Sequence, residues 1–218
     1  RDCTAPALQT MLRFVGETMP HCQGIELPHV WADGPLSDLR STAPQSFTFA
    51  PRARGAVARS ILVPGECLAQ LGGRALKSRV RDLNRRMRRL QERGTVGWRW
   101  HRDEGVPDEA VEAFLALEHM DWKGEEGSSL RSSPRGEAFF REVVAGFASA
   151  RRALFTELTL DGAAIASTCN LISGNVGFGF KIGWNPDFRA MSPGWLNEIE
   201  FMRHAPTHFG DIVLQHRK

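Results

Sequence analysis

The sequence predicts an α+β (mixed α/β) fold, and three observations carry that expectation. Two hairpin signals, Asp161-Gly162 and Ser173-Gly174-Asn175, divide a run of strand-like segments into a three-stranded meander. Segments of helical periodicity stand on both sides of it, giving the order helix, helix, meander, helix, strand. The chain has 218 residues, 42% hydrophobic and 24% charged, an ordinary globular composition able to bury a core of normal size. Disordered and fibrous classes are excluded by the same figures.

Taken in order, residues 7–19 read as a helix, because Leu8, Leu12 and Val15 recur at three- to four-residue spacing. Residues 20–51 are rich in Pro, Gly, Ser and His and read as loops, with a short strand near 25–27. Residues 59–63 form a strand stopped by Pro64-Gly65. A long helix is expected over 67–93, ended by Gly94. Its apolar residues Leu76, Val80, Leu83, Met87 and Leu90 step by four, three, four and three into one stripe. From Arg74 to Arg93 nine Lys or Arg stand against Asp82 and Glu92, a local charge of +7. The whole chain carries +3, so everything else amounts to −4 and the positive charge sits on one helix.

Residues 96–101 alternate as a strand does. Pro107-Asp108-Glu109 opens a helix carrying Val111, Phe114, Leu115 and Glu118, which runs into Asp121-Trp122-Lys123-Gly124 and a polar loop. Ser133-Pro134 reads as an N-cap with proline at the first helical position, before a helix that buries Phe139, Phe140, Val143, Val144 and Phe147. Residues 153–160, 163–172 and 176–184 are the meander strands. Ser192-Pro193 opens a helix that Pro206 is expected to end, and 211–216 is a last strand.

No apolar stretch approaches the roughly 18 residues that span a bilayer, and no secretory pattern opens the chain. It begins at Arg1 and not at Met, and is read as part of a longer protein. Cys3, Cys22, Cys67 and Cys169 are scattered without a Cys-x-x-Cys pair, so neither a metal site nor a disulfide framework is expected. A reducing cytoplasm is the expected location. The chain has no Tyr, which excludes a tyrosine acid or nucleophile within these residues.

The sharpest local signal follows the third meander strand. Pro193 presets a helical turn, Ser192 is placed to cap it, and Gly194 leaves the backbone bare. A helix start offers unpaired N–H groups and a positive dipole end to a phosphate, and Arg189 can add a charge-assisted bond. The plainer alternative is an ordinary helix start. The glycine-rich run 174–179 lies in a hairpin and strand, so it is not a dinucleotide fingerprint. The basic helix suits an anionic partner or a solvated face, and no aromatics interleave its arginines to stack bases. Pro206 stands between His204 and His208, which argues against a zinc pair. His101, His119, Glu118, Asp121 and Glu157 are candidate bases that the sequence does not rank.

The run Glu118-His-Met-Asp-Trp122-Lys123-Gly124, then Gly127-Ser128-Ser129-Leu130, resembles the signature of the cellulose-biosynthesis-type (BioF2-like) acetyltransferases of the GNAT superfamily. The resemblance continues through Leu160-Asp161-Gly162-Ala-Ala-Ile165-Ala166, Lys181-Ile182, and Ser192-Pro193-Gly194-Trp195-Leu196 with Glu200. Upstream, the basic run 85–94 is similar to the helix before the family's domain core. The likeness covers 59–218. Residues 1–58 are expected to be a partial segment, the tail of a preceding degenerate GNAT-like half. Fem-type aminoacyl transferases, which use aminoacyl-tRNA, belong to the same superfamily.

The resemblance implies a twisted mixed sheet that splays open beside the third meander strand, with acetyl-CoA or another acyl-CoA in the gap and no metal. It implies that Arg189, Ser192, Pro193 and Gly194 bind the pyrophosphate, with Ser192 standing where the superfamily pattern has glycine. It implies catalytic roles for Glu118, as base, and Lys123, with Trp122 and Lys181 lining the acceptor side. A helix end with a buried Trp and a solvated Lys is the plainer alternative there. The expected reaction is direct attack by an amine of a small molecule, sugar or peptide on the thioester in a ternary complex. Two alternatives stand beside it: a Fem-type transferase whose basic helix touches tRNA, and a non-catalytic GNAT-like module binding anionic partners.

Overall fold

The computed structural model describes residues 4–19, 21–22, 60–62, 74–120, 122–173, 176–208 and 213–216. The chain divides into two compact units, Arg1–Val57 and Ala58–Lys218. In the first, helix α1 (Thr4–Thr18) begins three residues before the expected 7–19. The strand expected near 25–27 lies outside the described residues, as does 67–73 of the long helix.

The second unit runs β1 (Ser60–Leu62), α2 (Arg74–Gln91), β2 (Val96–His101), α3 (Asp108–His119), the one-turn α4 (Trp122–Glu125), α5 (Pro134–Ser149), β3 (Ala153–Leu160), β4 (Ala163–Ser173), β5 (Val176–Trp184), α6 (Pro193–His208) and β6 (Val213–His216). The local chemistry explains the joints. Ser133 Oγ accepts the Gly136 N–H at 3.0 Å, with Pro134 in the first turn of α5. Asp161 (φ 50) and Gly162 (φ 84) both take left-handed backbone, the primed turn that a right-twisted hairpin needs. Helix α6 passes through Pro206 instead of ending there. The missing N–H falls in the last turn, where it removes a single helical bond next to an end that lacks partners anyway.

The six strands lie in the order β1-β6-β5-β4-β3-β2, a mixed sheet in which β5 and β6 are parallel and the other neighbours antiparallel. Strand alternation gives it two apolar faces. Phe114, Leu115, Phe140 and Val144 of α3 and α5 pack on Ala153, Phe155 and Cys169. Leu83 and Leu90 of α2 and Leu196 and Ile199 of α6 pack with Leu158, Ile165 and Ala166 on the other side. Buried Asn197 ties α6 to the sheet: its Nδ2 donates to Thr156 and Thr168 Oγ1, each at 3.1 Å, and its Oδ1 accepts Trp98 Nε1 at 3.0 Å.

Two features of β5 prepare the site. It pairs with β6 over Val176–Phe178 only; from Gly179 to Trp184 its described partner is β4 alone. The β4–β5 register also slips there, since Cys169 faces Lys181 while Asn170 faces Gly179, leaving Phe180 as the extra residue. Such a bulge bends a strand and re-aims its side chains.

Candidate active site

Past the bulge, β5 alternates its residues between two sides. Lys181 and Gly183 lie in register with Cys169 and Ser167 and turn toward α3; Ile182 and Trp184 turn toward the start of α6. This length of one strand therefore meets two different clusters.

On the first side, Gly183 admits the end of α3 against the strand. A Cβ there would collide with the Glu118 backbone nitrogen and sit 2.6 Å from the Leu117 carbonyl carbon. This approach buries Glu118 completely. Its Oε1 accepts Lys181 Nζ at 2.8 Å and lies 3.7 Å from Lys123 Nζ; its Oε2 accepts the Leu130 N–H at 2.8 Å. Lys123 Nζ donates to the Ile182 carbonyl at 2.7 Å. The expected catalytic residues Glu118 and Lys123 and the expected acceptor residue Lys181 are thus one cluster of two ammonium groups on one carboxylate. Trp122 is half exposed, its ring 6.0 Å from Lys123 Nζ. The buried-Trp, solvated-Lys alternative is reversed: the tryptophan faces solvent and the lysine turns inward, because only the lysine finds a carbonyl and a carboxylate there. A shallow cleft opens over Glu118, Trp122, Lys123, Ile182, Gly183 and Trp184.

Desolvation holds Lys123 below the ordinary lysine value of 10.5; Glu118 opposes that shift and Lys181 adds to it. An NMR titration of the lysine side chains is expected to find Lys123 below 10.5, and lower again in Glu118→Gln. A Lys123 titrating at 10.5 or above would contradict this burial. Between the folded value and 10.5 the unfolded chain binds more protons, so this group's contribution to stability rises with pH across that window.

On the second side, residues Pro186–Met191 form a 3-10 segment leading to Ser192. Ser192 sits at φ 53, ψ 58, in the left-handed region, whereas an N-cap residue is extended. Its hydroxyl accepts Arg86 Nη1 of α2 at 2.8 Å, so the side chain expected to cap α6 is engaged from another helix. The same nitrogen donates to the Ala190 carbonyl at 3.1 Å, and Arg86 Nε donates to Asp82 Oδ2 at 2.7 Å. Hydrogen bonds from Arg86 and Arg85 hold the Asp82 carboxyl below its usual range. Arg189 lies with its guanidinium 5.8 Å from the Trp184 ring centroid. Pro193 is buried, and Gly194 leaves room for Ile182, whose Cδ1 would lie 3.1 Å from a Cβ there.

The remaining candidate bases have other surroundings. Buried Glu157 uses Oε2 for both Arg99 Nε and His101 Nε2, each at 3.0 Å. His119 Nδ1 lies 2.7 Å from Ser129 Oγ, and Asp121 is outside the described residues. His204 stacks on Trp98 at 4.7 Å. Burial pushes the Cys169 thiol, next to Lys181 across the ladder, far above its usual value, which removes it as a nucleophile. Among the described residues no group of His, Cys, Asp and Glu is placed to hold a metal, and no helix is long and apolar enough to cross a membrane.

Sequence reasoning missed two positions. Gly183 had a signal, since glycine inside a strand marks a close approach. The bond from Arg86 to Ser192 spans 106 residues and had none.

A family model described as an acetyltransferase (GNAT) domain matches residues 77–210, more than half of the chain. No curated protein matches. Among solved structures, the chain is similar to one described as a conserved protein of unknown function from Bacteroides thetaiotaomicron VPI-5482, with 16% identity and a TM-score of 0.49. That similarity covers 96% of this chain and 66% of the other, so the chain spans just under two thirds of its length.

Proposed function

This chain belongs to the acetyltransferase (GNAT) domain family, and from that premise we propose that it moves an acyl group from acyl-CoA to an amine acceptor. The observation that carries the reading is the length of β5 from Gly179 to Trp184, which among the described residues pairs with β4 alone and is bulged at Phe180, with a helix start at one side and the lysine–carboxylate cluster at the other. Backbone groups along that edge, apart from the Ile182 carbonyl that accepts Lys123, suit the amides of a pantetheine arm. The first turn of α6, with Ser192, Pro193 and Gly194 and with Arg189 alongside, suits a pyrophosphate.

In this reading the thioester carbonyl lies beside the bulge, where backbone N–H groups steady the oxyanion. The amine nitrogen forms a bond to the carbonyl carbon, the C–S bond breaks, and CoA leaves as thiolate. The proton lost by the amine goes to a base or to solvent, and the thiolate takes one up. Lys123 and Lys181 give the acceptor side a positive lining suited to an anionic acceptor, and Glu118 holds both in place. Trp122 offers a flat face to a sugar or aliphatic acceptor. The resemblance of 118–130 favours a cellulose-biosynthesis-type activity, with a Fem-type transferase as the alternative.

Thermal unfolding with acetyl-CoA, longer acyl-CoAs and free CoA tests the proposal, with ATP as the anion control. A ligand at a hundred times its dissociation constant stabilises a fold by about 2.7 kcal/mol, several degrees at this size. CoA species are expected to raise the melting temperature and ATP to leave it unchanged. An equal response to ATP, or no response to any CoA species, counts against it.

A further inference from the structure

We propose that Arg86 is a positioning residue for acyl-CoA: it holds the turn before α6 in the shape that receives the phosphates, through Ser192 and the Ala190 carbonyl. The inference rests on the reading above and adds a residue from outside the turn.

The argument starts from Ser192. Its backbone is in the left-handed region, which glycine adopts freely and a residue with a Cβ adopts at a cost. The Pro193 ring fixes the next φ, so the torsions of Ser192 set the direction in which the first N–H groups of α6 point. Something has to hold that torsion. The Ser192 N–H donates to the Arg189 carbonyl at 3.0 Å, and two bonds from one guanidinium nitrogen add the side-chain hold, to Ser192 Oγ at 2.8 Å and to the Ala190 carbonyl at 3.1 Å. They fasten the side chain of the strained residue and the backbone two positions before it.

The arginine is itself held. Arg86 is about one-third exposed, and its Nε is engaged by Asp82 one turn earlier on the same helix. That helix is anchored to the sheet through Leu83 and Leu90. A chain of contacts thus runs from the core of α2 through Asp82 and Arg86 to the turn. It also accounts for serine at a position with glycine-type torsions: the hydroxyl supplies the grip that glycine lacks. Lysine is no equivalent here, since a single ammonium does not span Asp82, Ser192 and Ala190 in the fork geometry of a guanidinium.

The test measures binding of CoA and of pantetheine, which lacks the phosphates, by calorimetry. Arg86→Gln removes both bonds to the turn and is expected to weaken CoA at least about tenfold, the scale of a single charge-assisted bond, and to leave pantetheine unchanged. Arg86→Lys should recover part of the loss. Ser192→Ala should weaken CoA in the same direction, and combining it with Arg86→Gln should add little, as for two ends of one contact. The proposal is overturned if Arg86→Gln binds CoA like the unaltered chain, or loses CoA and pantetheine alike. It is also overturned if Ser192→Ala has no effect, since Arg86 would then act as a bare charge. Should Arg86→Gln not fold, Ser192→Ala decides alone. An unaltered chain that binds no CoA removes the acyl-CoA reading itself and this inference with it.

Discussion

Replacing Glu118 with alanine is expected to destabilise the second unit by about 3 kcal/mol, the lower end of what removing one partner from a buried ionic contact costs. The carboxylate is fully buried and serves three groups: Lys181, Lys123 and the Leu130 N–H. Its loss leaves the Leu130 N–H without an acceptor, which alone costs about 1–3 kcal/mol. It also leaves two ammonium groups facing each other. The lysine side chains keep 20% and 30% of their exposure, so solvent screens part of that repulsion and the upper end of the range does not apply. Urea denaturation is expected to show a lower midpoint with an unchanged slope. Glu118→Gln should fall between, because an amide oxygen can still accept from Leu130. A loss under about 1 kcal/mol in Glu118→Ala would mean that the cluster is not held through this carboxylate.

Gly183→Ala is expected to act on the same place from the strand side, and to cost about 3 kcal/mol as an overpacking substitution. The new Cβ would meet the Glu118 nitrogen and sit 2.6 Å from the Leu117 carbonyl carbon and 2.8 Å from the Glu118 Cα. All three are backbone atoms, so no side-chain rotation relieves the clash. The end of α3 has to lift from β5, and Glu118 moves away from Lys181 with it. Gly146→Ala is the control: Gly146 lies in α5, its Cβ would meet nothing within 4 Å, and alanine there should be neutral or stabilising by up to about 1 kcal/mol. At this size each kcal/mol corresponds to about 2–4 °C in melting temperature. Equal melting temperatures for the two variants would refute the close approach at Gly183.

The elements of the second unit were legible because local rules and tertiary context agree in them. The Asp161-Gly162 turn needs two left-handed residues, and these are the residue types that accept such backbone. Ser133-Pro134 starts α5 as its chemistry predicts. Where a single residue carried the expectation against its neighbours, the outcome differed, as at Pro206, which α6 tolerates near its end. The site was legible in part. The spacing of Glu118 and Lys123 placed them near one helix end, but the inward turn of Lys123 and outward turn of Trp122 depend on which side chain meets the Ile182 carbonyl.

By itself the sequence determined the order of helices and strands, the turns between them and the concentration of positive charge on α2, because each follows from neighbours a few residues apart. Only the tertiary structure decided that among the described residues β5 pairs with β6 as far as Phe178, that Phe180 is the bulge, that Gly183 lets α3 reach the strand, and that Arg86 grips Ser192 across 106 residues. Those are contacts between distant segments, and the energy that selects them comes from packing and pairing that no local pattern contains.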